Sequence, residues 1–148
     1  DTIICLEGTE IIGAFLAREL AKEGHTSINS GKDICVITPE TNANNQMIFR
    51  DNIQKHVFNK QILLLISSAS TGKTINRSVE CLQYYNGQLA GVASIFSAIN
   101  EHNGIQINSI FTSEDLNNYE TMSAHDCKLC KSGQKVDAII NSFGYSKI

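Results

Sequence analysis

The feature that most restricts the fold is the apolar run Ile62-Leu63-Leu64-Leu65-Ile66, which opens into Ser67-Ser68-Ala69-Ser70-Thr71-Gly72-Lys73-Thr74 and then into a helix-forming stretch. An apolar run without alternation suits a strand buried on both faces, and such strands belong to parallel sheets with helices on either side. The turn that follows is dense in small and hydroxyl residues. Its backbone N–H groups, its hydroxyls and the positive end of the helix dipole converge on one place, and that place suits an anion. An ordinary strand-to-helix turn would use the same Ser and Thr side chains only to cap the helix. Gly72 and Lys73 at its end weigh toward phosphate.

Similar units recur along the chain. Residues 2–6 read as a buried strand and 10–22 as an amphipathic helix, with Ile11, Ala14, Phe15, Arg18 and Leu20 expected on its main face and Gly24 after its end. Residues 33–38 form a second strand, stopped by Pro39. Residues 40–60 are polar, Asn-rich and weakly periodic, as in a functional or mobile loop. After the strand at 61–66, a helix is expected from Thr74 to about Tyr85, with Ile75, Val79 and Leu82 on one face and Asn86-Gly87 ending it. Residues 88–96 and 105–112 add two strands, separated by a segment containing Asn103-Gly104. Strands alternating with helices predict an α/β fold, a parallel-core sheet flanked by helices, with ligands at the carboxyl ends of the strands. Residues 113–148 are acidic, then Cys-containing, then briefly apolar at 136–140, and read as a C-terminal extension with a C-x-x-C.

A length of 148 residues fits one domain spanning 1–148, and at this size folding buries about 68 to 70 % of the unfolded chain's surface, so a core forms without staples. The net charge of −3 argues against a nucleic-acid or membrane-surface partner, which calls for a basic excess. No apolar run approaches the roughly 20 residues that span a bilayer. Five cysteines scattered among apolar segments do not form a disulfide pattern, which makes a reducing cytoplasm the expected location. The chain starts at Asp1 without Met and enters a strand at once, so a leading segment is expected to lie outside it.

Two families follow a buried strand with a Ser/Thr/Gly loop. In the P-loop nucleotide hydrolases the pattern G-x-x-x-x-G-K-[ST] is met at Gly72, Lys73 and Thr74 but has Ser67 in place of its first Gly. The stretch Ile110-Phe111 leading to Glu114-Asp115 is a poor candidate for the magnesium-holding partner of that fold.

The layout more closely resembles the type I phosphoribosyltransferases, in three segments that keep the family's order. Asp1-Thr2-Ile3-Ile4-Cys5-Leu6-Glu7 followed by Gly8-Thr9-Glu10 is similar to the family's first core strand and pyrophosphate loop. Ile62 through Ile66 with Ser70-Thr71-Gly72-Lys73-Thr74 is similar to the strand and T-T-G-G-[TS] loop that grips the 5-phosphate of phosphoribosyl pyrophosphate. Cys127-Lys128-Leu129-Cys130-Lys131-Ser132-Gly133 resembles the C-P-L-C-x-x-G segment of some orotate phosphoribosyltransferases.

The resemblance implies an orotate-like transferase that binds phosphoribosyl pyrophosphate with Mg2+ and works as a homodimer. Ser70, Thr71, Gly72, Lys73 and Thr74 would hold the 5-phosphate, and Glu7, Gly8, Thr9 and Glu10 would border the leaving pyrophosphate. Residues 40–60 take the place of the family's mobile loop, with Arg50, Lys55 and His56 as its charge-neutralising candidates; a solvated loop face is the plain alternative for those three. The sequence departs from the family at the two acidic residues that precede the phosphate loop and contact the ribose. Ile66 and Ser67, or Ser67 and Ser68, stand there, and Lys73 replaces the second Gly. That loss opens a second reading, a non-catalytic phosphoribosyl-binding sensor; a degenerate P-loop hydrolase is a third.

The remaining candidates are smaller. His125, Cys127 and Cys130 supply three of the four ligands that structural zinc requires. Redox use of the C-x-x-C requires a helix that starts directly after the first Cys, and two reduced thiols closing a turn is the simpler expectation. Cys5, Cys35 and Cys81 read as small buried hydrophobes, and Tyr84-Tyr85 as packing or part of a dimer surface. His25 and His102 fall in polar turns and are assigned no role.

Overall fold

Two strands set the frame: β1 (Thr2–Cys5), followed by helix α1 (Glu10–Ala21), and, after β2 (Cys35–Ile37), a hairpin of β3 (Glu40–Thr41) and β4 (Met47–Ile48) and the helical turn α2 (Asp51–Gln54), the long strand β5 (Gln61–Ala69). Helix α3 (Lys73–Tyr84) and strands β6 (Gln88–Ser97), β7 (Glu101–His102) and β8 (Ile105–Thr112) complete the core, and α4 (Lys128–Lys131) and the hairpin β9 (Ala138–Asn141) with β10 (Gly144–Lys147) follow. These elements come from a computed structural model, which describes residues 1–22, 31–44, 46–116, 118–123, 125–141 and 144–148. The expected Gly24 and His25 lie outside the described residues.

The main sheet has the order β2-β1-β5-β6-β8-β7. All its neighbours run parallel except β7 and β8. This is the mixed α/β architecture expected from the sequence. Strands β1 and β5 pair from Thr2 against Ile62 to Cys5 against Leu65. Their side chains fill both faces, as an unbroken apolar run requires. Ile4, Ile62, Leu64 and Ile66 meet Phe49, Ile75, Leu82 and Val92 on one side. Ile3, Cys5 and Leu65 meet Ala17 on the other. Each fully buried aliphatic side chain of this kind contributes about 1.5–3 kcal/mol.

Strand β5 runs three residues beyond the expected Ile66. The ladder to β6 continues through Ser68 opposite Phe96 and Ala69 opposite Ser97, and paired backbone overrides the weak strand preference of Ser and Ala. The bend before α3 is correspondingly short.

The inward face of α1 also differs from expectation. Ile11 and Phe15 are 74 % and 56 % exposed, whereas Gly13 and Ala17 are buried. A Cβ at Gly13 would stand 2.3 Å from the Cys5 sulfur and 3.3 Å from Val36 Cγ1. The helix therefore lies against β1 along its smallest residues, and close approach of backbone to sheet outweighs the larger side chains on the other face. The described residues of 40–60 are not a bare loop, since they include β3, β4 and α2. Met47 and Phe49 are core residues, and the Phe49 ring meets Tyr85 edge-on at 5.1 Å. Tyr85 thus packs, while Tyr84 stands 83 % exposed.

Gly13→Ala is expected to destabilise the fold, because overpacking costs about 1–3 kcal/mol against a helix-propensity gain of about 1 kcal/mol. In a Cys5→Ala background the loss is expected to shrink, since the colliding sulfur is gone. Urea unfolding of the four proteins in this double-mutant cycle measures the coupling.

Candidate functional site

At the carboxyl end of β5 the chain turns through Ser70, Thr71 and Gly72 directly into α3. Gly72 caps the helix in the left-handed region, with φ +74° and no side-chain cap. The first-turn N–H groups of a helix have no partner within it, so those of α3 face a polar cavity of about 150 Å³, bordered by Ser68, Ser70, Thr71, Lys73 and Thr74. A Cβ on Gly72 would lie 2.3 Å from the His102 ring. His102 hydrogen-bonds through Nε2 to Asn76 Oδ1 at 2.9 Å and so braces the bend from behind. It sits against Gly72, a placement that its polar turn in the sequence did not disclose.

The loop after β1 arrives beside this bend. Glu7 and Gly8 both adopt left-handed backbone, at φ 58° and 82°. Glu7 accepts a hydrogen bond from the Ser67 hydroxyl, and its carboxylate borders the cavity at the tip of β5. Thr9 turns inward. Only 1 % exposed, it donates its hydroxyl to the carbonyls of Leu6 at 2.9 Å and Leu65 at 3.2 Å. Its side chain ties the loop to both central strands instead of facing a ligand. Gly8 and Glu10 are exposed, and Glu10 accepts from the Thr38 hydroxyl at 3.3 Å.

A second cavity of about 290 Å³ adjoins the first through Glu7 and Thr74 and is bordered by Thr38, Thr41 and Arg77. Arg77 went unnoticed in the sequence, although it follows Thr74 by three residues and so shares its helix face. It is the cation that α3 presents to this cleft.

The three loop candidates do not gather here. The Arg50 guanidinium makes two 2.7 Å hydrogen bonds to the Glu40 carboxylate, which hold that carboxyl below its usual range. The Thr2 hydroxyl donates to the His56 carbonyl at 2.6 Å, beside the amino ends of β1 and β5, and Lys55 is the neighbour of His56. From Ile62, the partner of Thr2, to Ser70 the strand rises by about 26 Å at 3.3 Å per residue. Lys55 and His56 are therefore at the far end of the sheet from the bend. His125, Cys127 and Cys130 do not form a ligand set either. Among the described residues no group of three or more His, Cys, Asp or Glu is arranged to hold a metal ion. The P-loop alternative fails on geometry, because Ser67, Ser68 and Ala69, which its loop would require, belong to a paired strand.

No family model matches the sequence, and no curated protein does. The likeness to known proteins is one of fold. The orotate phosphoribosyltransferase from Aeropyrum pernix matches with a TM-score of 0.50 at 15 % identity, over 91 % of this chain and 66 % of that one. A phosphoribosyltransferase from Corynebacterium diphtheriae matches with a TM-score of 0.50 at 17 % identity, over 78 % of this chain and 65 % of that one. The chain thus spans just under two thirds of the length of each. Its fold is that of the type I phosphoribosyltransferases.

Gly72→Ala is expected to cost about 1–3 kcal/mol of stability, because a side chain must adopt left-handed backbone there. Thermal unfolding of the two proteins reads the loss.

Proposed function

We propose that this chain is an orotate-like phosphoribosyltransferase that takes phosphoribosyl pyrophosphate, with the bend at residues 70–74 holding the 5-phosphate. The observation that carries the reading is the polar cavity at the tip of a central parallel strand, lined by Ser70, Thr71, Lys73 and Thr74. Orotate as the base class rests on the Cys127-to-Gly133 segment, and a homodimer is the assembly we propose with it.

Transfer of a phosphoribosyl group breaks the bond between the anomeric carbon and pyrophosphate through an oxocarbenium-like transition state. The chain's task is to hold the two phosphate ends apart and steady. Thr71, Lys73 and the first amides of α3 would fix one end. Arg77, with Thr38 and Thr41 across the adjoining cleft, would meet the other. Glu7 is the acidic side chain at the junction of the two cavities, and it stands against Ser67, where the sequence offers no carboxylate of its own. One carboxylate together with substrate phosphates is a usual way to hold Mg2+, so Glu7 fits that group. When bound, the ion offsets the charge of the leaving pyrophosphate.

A specific observation favours a second reading, a phosphoribosyl-binding protein without turnover. Arg50 is occupied by Glu40, and Lys55 and His56 stand beside the amino ends of the strands, which leaves the cleft without a mobile-loop cation among the described residues. Pyrophosphate release from phosphoribosyl pyrophosphate, Mg2+ and orotate separates the two. Release supports the transferase; saturable binding without release supports the sensor. Lys73→Ala is expected to weaken binding by roughly ten- to a hundredfold, the worth of a charge-assisted hydrogen bond. If neither phosphoribosyl pyrophosphate nor ribose 5-phosphate binds, both readings fall.

A further inference from the structure

The thiol pair at Cys127 and Cys130 belongs to no part of the phosphate site, and its local structure is of a particular kind. Helical turn α4 begins at the residue directly after Cys127, the arrangement that redox use of a C-x-x-C requires. The Cys127 sulfur accepts the Cys130 backbone N–H at 3.1 Å. The turn is closed by its own backbone, with Lys131 N–H on the Cys127 carbonyl at 3.1 Å and Gln134 N–H on the Leu129 carbonyl at 2.9 Å. Side chains three residues apart on a helical turn lie about 5–6 Å apart at Cβ, so a rearrangement of this exposed turn by about 1–2 Å brings them to the 3.5–4.5 Å that a disulfide needs. Cys130 is exposed and Cys127 half-buried, so both sulfurs can be reached.

We propose that Cys127 and Cys130 form a redox-active dithiol that exchanges with low-molecular-weight disulfides. The Cys127 thiolate attacks one sulfur of the small disulfide, breaking its S–S bond and releasing one thiolate. Cys130, losing its proton, then attacks the Cys127 sulfur of the mixed disulfide and releases the second. The two protons end on the two released thiols. The chain is oxidised by two electrons and the small disulfide is reduced to two thiols.

The rest of the molecule supplies the contrast. Hydrogen bonds from Cys130 hold the Cys127 thiol below its usual range, and Lys128 and Lys131 flank it. Burial pushes Cys5 up and Cys81 up to about 11, and Cys81 donates to the Met47 carbonyl at 3.2 Å. Thiolate fraction and access decide reactivity, so the chain carries one reactive pair beside core thiols that stay inert.

The test is equilibration of the full chain with oxidised and reduced glutathione, acid quench, alkylation and peptide mass mapping. The expected product is lighter by two hydrogens and linked Cys127 to Cys130, with Cys5, Cys35 and Cys81 recovered as thiols. Cys130→Ala should stop at a stable mixed disulfide on Cys127. Cys127→Ala should form its mixed disulfide on Cys130 at least about threefold more slowly. Wild-type protein that accumulates mixed disulfide without closing the pair overturns the proposal. So do equal rates in the two variants, or stoichiometric zinc in the purified protein that protects both thiols from alkylation.

Discussion

Parallel pairing of Thr2–Cys5 with Gln61–Ala69 is the constraint on which the rest depends. Because the two strands run in the same direction, both end on the same side of the sheet, and the loops that leave them lie next to each other. The Leu6 N–H donates to the Leu65 carbonyl at 2.9 Å, and the buried Thr9 hydroxyl bonds the carbonyls of Leu6, just past β1, and of Leu65 in β5. These bonds lock the first loop onto the second. Were either strand reversed, Glu7 and Ser67 would stand at opposite ends of the domain core and no shared cavity would exist.

The site that results is asymmetric in charge. One carboxylate, Glu7, sits among hydroxyls at the junction of two cavities, with Lys73 on one side and Arg77 on the other. On a chain of net charge −3, any attraction for an anion would have to be local, through oriented amides and these two cations, rather than through a field spread over the surface. Strand β5 carries no carboxylate near its tip, and the loop after β1 brings Glu7 there, against Ser67.

Contiguous features were legible before any coordinates. The strand at 61–66, the bend with Gly72 and the helix beyond it are one stretch of sequence whose apolar run, hydroxyl turn and periodicity all point to the same local structure. Strand 105–112 was legible for the same reason. Features that depend on what lies across the chain were not. The inward face of α1 was misjudged because large apolar residues at Ile11 and Phe15 outweigh a glycine in any periodicity count, while the close contact of Gly13 with Cys5 belongs to a partner strand. Arg50, Lys55 and His56 share one polar segment, yet the helical turn α2 separates Arg50 from the other two, and an ion pair to Glu40 occupies Arg50.

The sequence by itself determined the strands at 2–6, 61–66 and 105–112, the helices that follow the first two, and the hydroxyl-rich turn after the central strand, since backbone conformation and burial preference act over a few neighbouring residues. Tertiary structure alone decided which side chains meet there. Glu7 reaches Ser67, His102 braces Gly72 and Arg77 turns to the cleft because strand order and direction bring residues tens of positions apart into contact, and no local preference encodes that pairing.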